Sequence, residues 1–375
     1  MDMQNRKIRV AVVYGGASGE HPISCATAGA VLAALDPERY EVISIGITKS
    51  GEWVPGETDP RKLQLNGATT EVAASSSRII LPPGDGSQDL LRIDGVGADL
   101  KVTSLGSVDV VFPLLHGPFG EDGTIQGLFE MANIPYVGCG VFASAAAMDK
   151  DFMKVVLRNA GIGVGPYVAV TAAQWANDRE AVIAQVKQLQ FPVYVKPARA
   201  GSSLGISRVE KLEDLAAAVE EAHRHDPKIV IEQGIDGREI ECAVLGGHGF
   251  SQARASLPGE VVLADESAGF YDFEHKYVST SGLTMAIPAA IPDEVTAEIR
   301  KLAVKSFEAF GCEGLTRVDF FYTTDGEVLV NELNTLPGFT PFSMYPVMWE
   351  RTGIPYAELL DELIFLALER GVGLR

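Results

Sequence analysis

The stretch from Leu315 to Asn334 constrains this chain more than any other. Two apolar-alternating runs flank Asp325-Gly326, a strong short-range hairpin signal. A two-residue turn there predicts that Thr324 pairs with Glu327. Counting back, Asp319 falls opposite Glu332 and Arg317 opposite Asn334. Side chains alternate along a strand, so these four share one face. Two carboxylates opposed across a sheet repel each other unless a cation or a proton lies between them. Oxygen donors from Asp319, Glu332 and Asn334, with no Cys or His beside them, suit Mg2+ or Mn2+. A solvated polar face on a surface hairpin is the other reading that the spacing permits.

A second segment points to phosphate. Pro192-Val193-Tyr194-Val195-Lys196-Pro197 reads as a strand ending in Lys and running into Ala198-Arg199-Ala200-Gly201-Ser202-Ser203-Leu204-Gly205. Gly and Ser let backbone N–H groups approach a phosphate, and the hydroxyls add donors. The loop lacks the Walker A pattern, and Gly15-Gly16-Ala17-Ser18-Gly19 lacks the spacing of a dinucleotide fingerprint. Taken alone it could be a plain glycine-rich turn, as Lys150 ahead of helix 151–159 could be a surface lysine. Ile229–Ile235, with Glu232, reads as a strand leaving its sheet edge for a linker, where backbone groups can hold adenine. Glu239 could accept from ribose hydroxyls.

The 375 residues suggest two or three domains. Strands at 8–14, 41–47 and 108–115 alternate with helices at 22–35 and 124–132, which implies parallel strands with helices on both faces. Residues 55–105, rich in Ser, Gly, Pro and Thr, suggest hairpins or an excursion. A small α/β unit follows: helix 149–159, strands 192–196, 205–209 and 228–232, and helix 211–224. Thr171 and Gln174 have capping-box spacing and open a helix over 172–189. Longer strands at 238–246, 315–323 and 327–334 and helices near 293–309 and 355–369 complete the chain. The fold class is α/β, turning to α+β in the C-terminal part.

Composition narrows the partners. A formal charge of −19 disfavours nucleic acid and anionic membrane surfaces. The four cysteines form no CxxC pair, which fits reduced thiols. The apolar run after Arg6 is too short for a signal-peptide core, and no run approaches the ~18 residues of a membrane span. A soluble cytoplasmic protein is the expectation.

With these residues in hand, the chain resembles the ATP-grasp superfamily, and within it the D-alanine–D-alanine ligases. The likeness runs in order through Gly15-Gly16-Ala17-Ser18-Gly19-Glu20-His21, the segment His116–Gly127, the Lys196 strand and the Gly201–Gly205 loop. It continues through Arg317-Val318-Asp319 and Glu332-Leu333-Asn334-Thr335-Leu336-Pro337-Gly338-Phe339-Thr340. The resemblance implies a three-domain architecture: an N-terminal parallel-sheet domain (1–147), a small central domain with the phosphate loop (148–234) and a C-terminal domain with metal site and lid (235–375).

It also implies residue roles. Asp319, Glu332 and Asn334 would bind two Mg2+ (or Mn2+) ions beside the ATP phosphates. Lys150 and Lys196 would reach those phosphates, and Ser202 and Ser203 would close over them. Glu232, Glu239 and Lys276 would lie on the nucleotide side. Glu20 would hold the first D-alanine's ammonium, and Ser343, next to Met344, the second D-alanine's carboxylate. Arg317 and the backbone near Gly338 would stabilise an oxyanion. The loop 266–282 resembles a lid, with Tyr277 in a Tyr277–Ser202–Glu20 network that goes with D-alanine as second substrate. His116 is either a substrate-side donor or a structural histidine. The expected reaction joins two D-alanines through a D-alanyl phosphate in a homodimer, for peptidoglycan precursor synthesis. A D-alanine–D-lactate enzyme, another ATP-grasp ligase and a non-catalytic ATP sensor are the competing readings.

Overall fold

The computed structural model describes residues 6–64, 70–84, 87–201, 204–263 and 283–373. Strands β1 (Ile8–Gly15), β2 (Tyr40–Ile47) and β3 (Trp53–Pro55) precede β4 (Ser77–Ile80), β5 (Asp89–Asp94), β6 (Lys101–Ser107) and β7 (Val110–Pro113). The first sheet is ordered β3-β2-β1-β7 and is parallel except at β3. The described part of 55–105 supplies most of an antiparallel β4-β5-β6 sheet, as a hairpin-rich segment should.

β1 is apolar on both faces because both are covered. Val10, Val12 and Tyr14 enter one core with Cys25, Ala28 and Val31 of α1 (His21–Ala34). Ala11 and Val13 enter another with Ile125 and Phe129 of α2 (Thr124–Met131).

The middle of the chain contains α3 (Val141–Met148), α4 (Lys150–Asn159), β8 (Tyr167–Thr171), α5 (Ala172–Asn177) and α6 (Arg179–Val186). It continues with β9 (Val193–Pro197), β10 (Ser207–Val209), α7 (Leu215–His223) and β11 (Lys228–Gln233), and the sheet is ordered β10-β9-β11-β8. The Thr171–Gln174 capping box is present. The helix expected over 172–189 is instead two helices, because Asp178 leaves helical geometry at φ −128°, ψ 34°. Asn177 and Asp178 are poor helix-interior residues that favour such breaks. A second correction concerns β11, which lies inside its sheet between β8 and β9. The N–H groups of Gln233 and Gly234, where the strand runs into the linker to β12, donate to the Pro166 and Pro192 carbonyls.

The remainder comprises β12 (Gly237–Leu245), β13 (Arg254–Ala255), β14 (Gly259–Leu263), β15 (Leu283–Ala286), α8 (Asp293–Ala309), β16 (Leu315–Thr323), β17 (Val328–Asn334), α9 (Met344–Thr352) and α10 (Tyr356–Arg370). A six-stranded sheet runs β15-β14-β12-β16-β17, with β13 on β12. Helices α3 and α9 escape the sequence pattern. The first (Val141–Met148) is apolar or small throughout, without a charged stripe, and the second carries Pro346 in its first turn, where proline is tolerated.

The cores cross the boundaries expected at 147 and 234. Leu359, Leu360, Leu363 and Ile364 of α10 share one core with Val10, Val12 and Phe112 of the first sheet. Ala143 and Ala147 of α3 pack with Val318 and Phe320. β8–β11, α5, α6 and α7 enclose a core of their own, and the core of Ala11, Val13, Ile125 and Phe129 also stays within the first 147 residues. Among the described residues no helix is long and apolar enough to cross a membrane.

β1 ends at Gly15, whose φ is +94° and whose added Cβ would lie 2.2 Å from the Ile47 carbonyl oxygen. Left-handed strain and overpacking add for Gly15→Ala, an expected loss of roughly 2 to 5 kcal/mol. A thermal melt of the variant should show a clear drop in Tm.

Candidate active site

Three neighbouring strands form the floor of the site. β12 and β16 pair Glu239 with Phe321, Glu241 with Asp319 and Ala243 with Arg317. β16 and β17 pair Phe321 with Leu329, Asp319 with Glu332 and Arg317 with Asn334. Ile240, Cys242, Val318, Phe320, Val330 and Leu333 point the other way into a buried core. The opposite face therefore carries three successive rows, Glu239-Phe321-Leu329, then Glu241-Asp319-Glu332, then Ala243-Arg317-Asn334, with Ala243 itself buried. Rows two residues apart along a strand are spaced by about 7 Å.

The expected Asp319–Glu332 and Arg317–Asn334 pairs are present, but by another route, and Thr323 takes the place expected of Thr324 opposite Glu327. The turn is one residue longer than two, since Thr323 N–H donates to Glu327 at 2.9 Å around Thr324-Asp325-Gly326. A bulge then adds one residue, Asn331, because Phe320 faces Val330 whereas Asp319 faces Glu332. The two departures cancel. Without the bulge, Glu332 would continue the phase of Val328 and Val330 into the core.

Arg317 forms a fork on Asp319, with Nε to Oδ1 at 2.7 Å and Nη2 to Oδ2 at 2.6 Å. From β12, Glu241 Oε2 lies 2.9 Å from the same Nε. Burial alone would lower the arginine's pKa, but Asp319, Glu241 and Glu332 outweigh it and keep the guanidinium charged. Glu241 is absent from the sequence reading. Its signal was Gly237-Arg238-Glu239-Ile240-Glu241-Cys242, whose alternation puts both glutamates on one face.

Cations meet this floor from the central sheet. Lys196 and Lys154 clamp Glu232 at 2.7 Å and 3.0 Å. Burial opposes ionisation of that carboxyl, yet the two ammonium groups hold it far below the usual carboxylate range. Glu232 thus anchors Lys196 as its counter-ion. Burial lowers the Lys150 pKa against the pull of Glu332, and its Nζ donates to the Ala200 carbonyl at 2.8 Å. Lys150 is held by its surroundings: Asp149 caps α4, and Lys228 binds Asp149 at 2.7 Å. Asp226 accepts from the Arg199 and Lys228 N–H groups at the foot of the glycine loop.

The amino-acid side of the site is equally close. A Cβ on Gly117 would stand 3.1 Å from Glu20 Oε2, and one on Gly201 3.9 Å from it. The Glu20 carboxylate therefore sits between the 116–123 loop and the phosphate loop. His116 is buried, with Nδ1 3.8 Å from Glu121. Beyond β17, Ser343 Oγ accepts from Thr340 N–H at 3.0 Å and would lie 3.2 Å from a Cβ on Gly338. Met344 turns its side chain into the core and leaves its backbone at the start of α9. Ser202, Ser203, Lys276 and Tyr277, with the whole of the 266–282 loop, lie outside the described residues.

Among the described residues no three His, Cys, Asp or Glu side chains converge as a ready cage. Two opposed carboxylates and a carboxamide, all oxygen donors, fit an ion that completes its shell with water and substrate oxygens.

The family pattern described as D-ala D-ala ligase N-terminus matches residues 9–139, and that for the C-terminus matches residues 156–365. The chain belongs to the D-alanine–D-alanine ligase family. A D-alanine–D-alanine ligase of Pseudarthrobacter chlorophenolicus is 58% identical over 371 residues, covering 98% of this chain and 96% of that one. One of Paenarthrobacter aurescens is 55% identical over 368 residues, covering 98% and 97%. Among solved structures, the VanG D-Ala:D-Ser ligase of Enterococcus faecalis has a TM-score of 0.81 at 36% identity, covering 96% of this chain and 100% of that one. The D-alanine–D-alanine ligase of Coxiella burnetii has 0.78 at 34%, covering 97% and 95%. The fold is thus the ATP-grasp fold of a family of ATP-dependent ligases.

Within that fold, His116 has its charge set by its neighbours. Burial favours the neutral ring, but Glu121 and Glu20 outweigh it and raise the pKa above the ordinary 6.5. Its stabilising contribution is complete below pH 6.5 and is lost as pH rises through the folded value. An NMR titration should place the ring pKa above 6.5, and Glu121→Gln should lower it.

Proposed function

We propose that this chain joins two D-alanines, with ATP giving a D-alanyl phosphate and then D-alanyl-D-alanine, ADP and phosphate. The observation that carries this reading is the order of the three rows on one sheet face. Phe321 and Leu329 offer an apolar platform beside Glu239, suited to a nucleoside. The carboxylates come next, where phosphates and cations meet, and Arg317 follows, where an acyl group would react.

A carboxylate is a poor acyl donor because its leaving group would be oxide. Attack of its oxygen on the γ-phosphorus expels ADP and leaves an acyl phosphate. The second D-alanine's amine then attacks the carbonyl carbon, and phosphate departs with the C–O bond pair. Lys150 and Lys196 are placed to neutralise phosphate charge. Asp319, Glu332 and Asn334 would hold two Mg2+ or Mn2+ ions, which supply further neutralisation of the transferring group. Glu20 receives the first ammonium and Ser343 the second carboxylate, with His116 beside Glu20. Arg317 and the N–H near Gly338 stabilise the oxyanion. Ser202, Ser203, Lys276 and Tyr277 take their phosphate, nucleotide and lid roles from the sequence resemblance alone.

Three units, 1–147, 148–234 and 235–375, a cytoplasmic location and a homodimer belong to the same reading, as does a place in peptidoglycan precursor synthesis. The VanG neighbour, titled a D-Ala:D-Ser ligase, favours a second reading in which the acceptor is D-serine. Relatives at 55–58% identity named D-alanine–D-alanine ligase support the first.

Incubation with ATP, Mg2+ and D-alanine, alone or with D-serine or D-lactate, should yield the D-alanine dipeptide as main product by mass. A mixed product as the main species overturns the substrate assignment. Arg317→Met should lower kcat about 10²- to 10³-fold while ATP still binds. Chelation of divalent ions should abolish ADP release, and added Mg2+ or Mn2+ should restore it.

A further inference from the structure

Asp319 has two claims on it. Its carboxylate is spent on both arms of the Arg317 fork, through Oδ1 at 2.7 Å and Oδ2 at 2.6 Å. The ligase reading also needs those oxygens for a divalent cation. A guanidinium that is buried cannot be released without a partner, because an unpaired buried charge is strongly unfavourable.

Glu241 offers that partner. It stands directly across from Asp319 on the neighbouring strand, with Oε2 2.9 Å from Arg317 Nε. Its side chain is one-fifth exposed, comparable to Arg317 and Asp319, so all three share one shielded environment. Glu332 completes the row from the far side of Asp319.

We propose that Glu241 is a positioning residue that takes over the Arg317 guanidinium, freeing the Asp319 carboxylate for the divalent cation while Arg317 stays beside the reacting carbonyl. The inference rests on the metal and oxyanion roles assigned above. Arg317 does not leave the third row when the cation arrives; it exchanges one carboxylate for another on the same sheet. Glu239, two residues away, cannot substitute, since it lies across from Phe321 in the first row.

The test is a double-mutant cycle read by Mn2+ binding, followed by electron paramagnetic resonance on the full-length protein without D-alanine. Glu241→Gln should weaken Mn2+ binding about tenfold, as loss of a supporting partner typically does. Glu241→Asp, which keeps the charge, should recover most of that loss and guards against a misfolded variant. In the Arg317→Met background Asp319 is already free, so adding Glu241→Gln should leave Mn2+ binding nearly unchanged. An equal loss in both backgrounds would mean that Glu241 acts as a nearby charge and not through Arg317, and would overturn the proposal. So would unchanged Mn2+ binding in Glu241→Gln. The titration requires no turnover, so its result is read separately from any failure of the ligation assay.

Discussion

Negative charge concentrated on one face of the β12–β16–β17 sheet is the constraint around which the rest of the site is arranged. Glu241, Asp319 and Glu332 occupy adjacent positions on three strands, where like charges oppose pairing. The fold answers with cations from three directions. Arg317 comes from the same strand as Asp319, Lys196 from the central sheet and Lys150 from the start of α4. Each is held in turn: Lys196 by Glu232, Lys150 by the Asp149 cap and the Ala200 carbonyl, and Arg317 by two carboxylates. Ion pairs with so little water contribute more to geometry than to net stability.

Much of this was legible in the sequence because strand alternation and turn chemistry are local rules. β16 and α8 fall where the residue pattern puts them, and the Asp319–Glu332 and Arg317–Asn334 pairs are real. The reasoning behind those pairs was nevertheless incomplete, since a longer turn and a bulge cancelled. Neither can be read from propensity, because both depend on what the two faces of β17 must touch. The edge reading of β11 failed for a related reason: strand order within a sheet is non-local, and nothing in Ile229–Ile235 announces β8 and β9 on either side. Glu241 was missed because its partners lie about 80 positions along the chain.

The hydrophobic cores show a different organisation from the linear order of motifs. The first sheet and α10, from opposite ends of the chain, close one core between them, while the central sheet keeps its own. The floor rows and the loop around Glu20 therefore rest on one continuous body. The glycine loop and Lys196 belong to the other, and the two meet through α4 and the Lys150 contacts with Ala198 and Ala200.

The bulge at Asn331 bears on how the hairpin finds its pairing at all. An unbulged partner register keeps Val328 and Val330 buried but drives Glu332 and Asn334 into the apolar core and turns Leu333 outward. A one-residue slip of this kind exchanges the two faces of a strand, and an ionised carboxylate in that core carries a prohibitive desolvation cost. The acidic residues thereby act against the wrong pairing as well as within the right one. Side chains of the candidate site thus also disfavour a wrong register, and a variant that neutralises Glu332 relaxes that constraint.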